Sequence, residues 1–386
     1  MDRIYLDYAA TTPVDLEVIR MMINNFENDF GNPSSIHSFG QNAETTLSKA
    51  RKSILELMNA KETDLIFTSG GTESDNLALR GCIKSAEDLS KKKLLISPVE
   101  HPAIAITCAS LEKLYGIQTI QLRVDKDGII EPRFLKETID ADTLLVSIIW
   151  ANNEIGTIND ISYLGKLCKD QGVLIHTDAV QATAHLQVNW ETLNIDLMSF
   201  GAHKFYGPKG VGGLLKNKNI TLTPQSTGGS QEENLRAGTQ NVPLILGMAK
   251  AYELVNEGRE VRNLRLIHLR DMIINGVLQS IPGTFLTGHP EKRLPNHASF
   301  VIEGVSGQDL VIGLDMAGFA VSSGSACKVG KPTPSQVLLA IGIPEDLARG
   351  ALRVTIGRNT TEDQAISFLS ALKKLVKELR HKVNYK

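Results

Sequence analysis

What most restricts the fold of this chain is a recurrence. Short apolar runs of strand length each end in a polar or glycine-bearing turn, and helical stretches lie between them. Asp64–Thr68, Leu94–Pro98, Leu144–Trp150, Val173–Asp178 and Ile195–Phe200 are such runs. The predominantly apolar character of Leu144–Trp150 fits a strand covered on both faces. Gln41–Met58 and Ile161–Gln171 carry the helical period between runs. Such an alternation closes into a right-handed, mostly parallel sheet. The expected class is therefore α/β, with ligands gathered at the carboxyl ends of the strands.

Two of these runs end in reactive groups. Val173–Asp178 ends in an acid, and Lys204 follows Ile195–Phe200, 26 positions after that acid. Asp178, Gln181, His203 and Lys204 can converge at one sheet edge although they are distant in sequence. Pyridoxal phosphate needs such a set: a lysine to bond its aldehyde and a carboxylate to keep its pyridine nitrogen protonated. The competing reading makes Asp178 a helix cap and Lys204 an exposed charge. Lys204 instead stands between His203 and Phe205, after an apolar strand and before Gly207-Pro208-Lys209-Gly210, a poor setting for a surface lysine.

Other segments supply complementary chemistry. Ser69–Asn76 places Gly70 and Gly71 at a strand-to-helix junction, where backbone amides and the helix dipole favour an anion. His101 follows another strand, where an imidazole can lie over a flat ring and exchange protons, or can simply cap a helix. In Ala151–Gly156 an asparagine amide can donate to an oxygen of a cofactor or substrate. Arg236-Ala237-Gly238-Thr239 joins a cation and a hydroxyl, both suited to phosphate.

With 386 residues the chain has room for two domains, and we place the boundary near residue 258, where a long charged helix begins. Residues 14–257 form the large cofactor-binding domain; residues 1–13 and 258–386 form the small one. A net charge of -2 from 41 basic and 43 acidic residues argues against general affinity for nucleic acid or acidic membranes. No apolar stretch is long enough for a membrane span and the start lacks an export signal, so a cytoplasmic protein is expected. Cys82, Cys108, Cys168 and Cys327 are spaced for neither a disulfide framework nor a zinc site. The first three have apolar, helical settings and read as inert. Cys327 lies in Ser322–Pro332, small, polar and expected to be mobile, where Lys328 and Lys331 favour the thiolate.

His176–Gln181 followed by Ala202–Gly210 resembles the cofactor-lysine region of cysteine desulfurases, within the class V aminotransferase superfamily. The likeness runs from Tyr5–Pro13 to Arg358–Thr361 and is strongest to the group serving iron-sulfur cluster assembly and nitrogenase maturation. It implies the pyridoxal-phosphate-dependent fold type I, a mostly parallel seven-stranded sheet with a smaller α+β domain. It also implies pyridoxal 5'-phosphate as cofactor, L-cysteine as substrate and Cys327, in a Ser-Gly-Ser-Ala-Cys segment, as sulfur acceptor. Gly71 and Thr72 become phosphate contacts, His101 the ring-stacking acid/base, and Arg353 and Asn153 the anchors of the substrate carboxylate. Asn32 and His37 come near the active site, and Thr239 reaches the cofactor phosphate of the other subunit in a homodimer. No resident metal is implied, with Cys327 at most a transient iron-sulfur ligand. The persulfide passes to a partner such as a cluster scaffold or a tRNA-thiolating enzyme.

Two departures stand out. Gly201 replaces a serine that binds phosphate in relatives, and Lys328, Pro332 and Pro334 replace a Thr/Ser-rich continuation after the cysteine. A selenocysteine lyase or a class V aminotransferase on the same scaffold is the rival enzymatic reading. A sulfur-relay or scaffold protein is the non-enzymatic one.

Overall fold

The computed structural model describes residues 3–61, 63–86, 92–324 and 334–383. In chain order its strands are β1 (Ile4–Tyr5), β2 (Thr63–Thr68), β3 (Lys93–Ile96), β4 (Gln118–Gln121), β5 (Thr143–Ser147) and β6 (Leu174–Asp178). They continue with β7 (Leu197–Gly201), β8 (Gly212–Asn217), β9 (Thr284–Leu286), β10 (His297–Ile302), β11 (Phe319–Ala320) and β12 (Ala351–Thr355). Among the described residues, a seven-stranded sheet runs β2-β8-β7-β6-β5-β3-β4, and in it only β8 opposes its neighbours. The α/β class and the mostly parallel sheet are thus as expected.

Parallel pairing brings the ends of β3, β5, β6 and β7 to one edge. Asp178 pairs with Ser199, so the turn Ala202–Lys204 that follows β7 leaves the sheet beside Asp178. β5 stops at Ser147, short of the expected Trp150. The Ile148 and Trp150 N–H groups nevertheless still donate to the His176 and Asp178 carbonyls, carrying the chain to Asn152 and Asn153 at the same edge.

Two strands of this sheet were not legible. β4 is a polar edge strand, and β8 opens on Gly212-Gly213, which weakens any strand pattern. The glycine at 213 has a packing reason: a Cβ there would meet the Phe200 ring at 2.5 Å. Among the early helices α1 (Leu16–Asn28), α2 (Ser38–Leu57), α3 (Gly71–Ser85) and α4 (Pro102–Tyr115), α2 matches the expected stretch Gln41–Met58, and Asp15, His37 and His101 cap α1, α2 and α4. Gly71 opens α3 because nothing larger fits; a Cβ there would lie 2.4 Å from a Val180 methyl.

A second core gathers the sheet β12-β10-β9, the pair β1-β11 and the helices Arg259–Ser280 and Glu362–Val383. Leu6, Phe300, Phe368 and Leu372 are fully buried in it. The chain crosses early from this core to the large sheet: Leu6 accepts from the Thr355 N–H, and six residues later Thr12 donates its N–H to His203.

Leu372 lies at zero exposure in the core that joins the two long helices. Leu372→Ala is expected to cost about 2–5 kcal/mol, measured by urea unfolding, because a cavity is left where the isobutyl group was. A loss under about 1 kcal/mol would mean that this helix pair is not part of a consolidated core.

Candidate active site

At the carboxyl edge of the large sheet lies a cavity of about 260 Å³. Gly71, Thr72 and Asp75 line it from α3, His101 from the start of α4, and Ile149 and Asn153 from the segment after β5. Asp178, Val180 and Gln181 enter after β6, and His203 and Lys204 after β7. The groups singled out in the sequence from five strand ends therefore meet in one place.

Asp178 is buried and accepts from the Val180 N–H at 2.9 Å. Burial raises its carboxyl, while His101 and Lys204 pull it back down. His101 caps α4, its Nδ1 accepting from Ala103 N–H at 3.1 Å, and also lines the cavity. The capping and ring-facing readings are thus compatible, and the neutral ring carries its proton on Nε2. Burial lowers the imidazole, which Asp178 opposes.

The Lys204 ammonium donates to the carbonyls of Ala9 at 2.6 Å and Ala10 at 2.8 Å. Burial first, and then the Arg353 guanidinium, push this amine down to about 8, with Asp178 and Asp7 resisting. The Gln181 amide also donates to Ala9, at 2.8 Å. His203 Nδ1 pairs with the Thr11 hydroxyl at 3.2 Å, and burial with Lys204 and Lys209 takes its ring down to about 4.

On the anion side, the first amides of α3 have no intrahelical acceptor, as at any helix start. Glu73 in that turn accepts from Ser69 N–H at 2.7 Å and from Arg236 at 2.9 Å. Arg236, grouped with the phosphate-suited residues in the sequence, is therefore committed to Glu73 and does not line the cavity. Thr239 is exposed and also lies outside it. Asn32 and His37 are exposed as well: Asn32 accepts from Ser34 N–H, and His37 caps α2 by accepting from Gly40 N–H.

Arg353 donates from Nη1 to the Asn153 carbonyl at 2.9 Å and from Nη2 to Asp7 at 2.8 Å. Arg349 is half-exposed and paired with Glu345 at the surface. Cys327, Lys328, Lys331 and Pro332 lie outside the described residues. Cys82, Cys108 and Cys168 are buried, and burial pushes each thiol up to about 12, in keeping with inert packing.

Sequence reasoning missed the wall formed by residues 7–11. Its contribution is largely backbone carbonyl, which leaves no side-chain signature. It also passed over Asp75, one acid inside a helix with no marker of burial.

The residues fit pyridoxal 5'-phosphate. A lysine amine lowered by burial to about 8, a buried acid and the first turn of α3, which lies close to Gly201, line one cavity. A Cβ at 201 would lie 3.3 Å from the Gly71 nitrogen. A serine at 201 would thus require α3 to yield by a few tenths of an ångström.

The model of the aminotransferase class-V family matches residues 4–368. The chain belongs to this family. A cysteine desulfurase IscS from Dictyoglomus turgidum is 44% identical over 99% of the chain and 97% of its own length. A solved NifS-like protein superposes with a TM-score of 0.90 at 33% identity, covering 97% of this chain and all of its own. The structure of SspA in complex with cysteine superposes with a TM-score of 0.80 at 32% identity, over 92% and 99% of the two chains. As a class-V member allied to cysteine desulfurases, the protein is a pyridoxal-phosphate enzyme by family.

The Lys204 amine makes a direct test. In cofactor-free protein, reductive alkylation at residue 204, followed by mass spectrometry, should show a midpoint near pH 8, where a solvated lysine titrates near 10.4. Arg353→Gln removes a repelling cation and should move the midpoint upward. A midpoint near that of surface lysines would contradict the burial described.

Proposed function

We propose that the protein is a cysteine desulfurase that seats pyridoxal 5'-phosphate in this cavity and takes L-cysteine. It moves the sulfur, as a persulfide on Cys327, to an acceptor protein. The observation that carries this reading is the convergence of a near-neutral lysine amine and a buried carboxyl in one cavity. The identity of relatives named for desulfurase activity supports the choice of reaction.

In this reading Asp178 would hold the ring nitrogen, His101 the ring face, and Gly71 and Thr72 the phosphate, with Gln181, His203 and Asn153 completing the seat. Pyridoxal phosphate supplies the electron sink that makes carbon–sulfur cleavage accessible. Lys204, released from the Ala9 and Ala10 carbonyls, takes the α-proton of the substrate. Its depressed basicity leaves a useful share of free amine near neutral pH. Arg353 already grips one carboxylate, that of Asp7, and engages the substrate's carboxylate with the same planar fork. The Cys327 thiolate attacks the substrate sulfur. A sulfur–sulfur bond forms as the carbon–sulfur bond breaks, and the remaining carbon skeleton is reprotonated with help from His101 to give alanine.

A homodimer completes the site. On α1, Leu16, Ile19, Ile23 and Phe26 share one face and remain solvent-exposed, and Phe30, Ile36 and Phe39 extend the exposed apolar surface beyond it. A patch of this kind marks an interface. A second copy covering it also accounts for Asn32, His37 and Thr239, which find no place in their own chain's cavity. We place the protein in the cytoplasm; no helix among the described residues is long and apolar enough to cross a membrane. The acceptor is a cluster scaffold or a tRNA-thiolating enzyme.

Cys327→Ala is expected to keep the cofactor's visible absorbance and to lose reductant-dependent sulfide release from L-cysteine. Sulfide release at the parent rate would remove Cys327 from the reaction. Ile23→Asp with Phe26→Asp should yield a monomer in sedimentation velocity; an unchanged dimer would place the interface elsewhere.

A further inference from the structure

The register of the large sheet puts more than Asp178 under α3. Ser147 pairs with His176, and Asp178 pairs with Ser199. His176 and Asp178 are two apart on β6, so the four side chains share one face. The Ser147 hydroxyl meets His176 Nδ1 at 2.9 Å, and His176 Nε2 meets the Ser199 hydroxyl at 2.9 Å. Asp75 descends from α3 beside Ser199, which favours its ionised form, and has one per cent of its surface exposed. Asp75 Oδ1 has no hydrogen-bond partner and lies 3.6 Å from His176 Nε2.

We propose that Asp75 is a positioning residue for Asp178. It keeps a proton on a carboxyl that lines the cavity close to Asp178, beside the buried chain Ser199–His176–Ser147. The proposal rests on the reading of Asp178 as the acid that meets the cofactor's ring nitrogen.

Ligand atoms of Asp75, His101 and Asp178 all lie within 4.8 Å of one another. Two buried carboxyls this close do not both ionise without a cation between them. His176 does not supply one, since burial takes its ring down to about 3. The other titratable groups acting on the pair are Glu100, itself a buried acid held high by burial, His101 and Lys204. The charge settles on Asp178, which has the Val180 N–H and the attraction of His101 and Lys204. Asp75 has one hydroxyl against burial and the repulsion of Asp178, so its carboxyl stays well above the ordinary range. One negative charge thus faces the cavity, matched to one ring cation. The neutral Asp75 occupies the space into which Asp178 could otherwise turn.

The test uses the holoenzyme carrying Asp75→Asn, Asp75→Ala, Ser199→Ala or Asp178→Asn. The readouts are the pH midpoint of the cofactor's visible band and the retention of cofactor on dialysis. Asp75→Asn, neutral like the protonated acid, should leave the midpoint within about 0.3 of the parent, whereas a lost charge shifts it by about a unit or more. Asp75→Ala should weaken retention about tenfold, and Ser199→Ala in the same direction by less. A unit shift in Asp75→Asn would show an ionised Asp75 and overturn the proposal. Parent-like retention in Asp75→Ala and Ser199→Ala, with loss in Asp178→Asn, would overturn it while sparing the seat. Parent-like retention in Asp178→Asn would instead defeat the reading of the seat itself. Should Asp75→Ala not fold, Asp75→Asn and Ser199→Ala carry the comparison.

Discussion

The parallel pairing of β6 with β7 is the constraint on which the rest depends. It sets Asp178 opposite Ser199, and the chain then needs only the short turn Ala202–Lys204 to bring an amine back to the same edge. Shifting that register by one residue would send alternate side chains to the opposite face of the sheet. Asp178 would then face the wrong layer while Lys204 stayed at the edge. The heavy burial on both faces, with Ile175, Leu197, Met198 and Phe200 all enclosed, makes such a slip expensive. Packing far from the chemistry therefore secures the distance between the acid and the amine.

Charge around the cavity is held in near balance by the same elements. Lys204 and Arg353 repel each other, and Asp7 and Asp178 oppose that repulsion. The outcome is an amine that loses its proton more readily than a surface lysine, without becoming a neutral group at every pH. Burial is the larger cause, because removing water penalises an isolated ammonium. The carbonyls of Ala9 and Ala10 limit the effect by accepting its hydrogen bonds.

The strand-helix alternation, the cofactor edge and most of the seat could be read from the sequence because they depend on local signals: apolar runs, glycines at a helix start, and acids or lysines at strand ends. His101 was legible as a cap or a ring-facing group, and it caps α4 while lining the cavity. β8 was hidden because Gly212 and Gly213 answer to Phe200 on the neighbouring strand, a tertiary demand that no window of sequence displays. Asp75 was hidden for a similar reason. Its meaning comes from Ser199 and Asp178, more than a hundred residues away, and in isolation it is one polar residue of a helix. Leu16, Ile19, Ile23 and Phe26 have the period of a core-facing helix but stay exposed, since periodicity reports that a face will be covered without saying by what.

Arg353 shows how the two cores act on one site. Its backbone on β12 exchanges both hydrogen bonds with Ser322, at 2.7 and 3.1 Å, where the chain leads toward Cys327. Its side chain reaches the other way, to Asp7 from the N-terminal crossing and to the Asn153 carbonyl after β5. Glu154, next in that segment, accepts from the Ser335 hydroxyl on the far side of the same stretch. One flank of the cysteine-bearing segment is therefore tied to Arg353, and the other to Glu154, the neighbour of Asn153. A displacement of β12 against the large sheet would move Arg353 and the Ser322 flank together. The two cores thus meet at one buried guanidinium and its two partners, the Asn153 carbonyl and the Asp7 carboxylate.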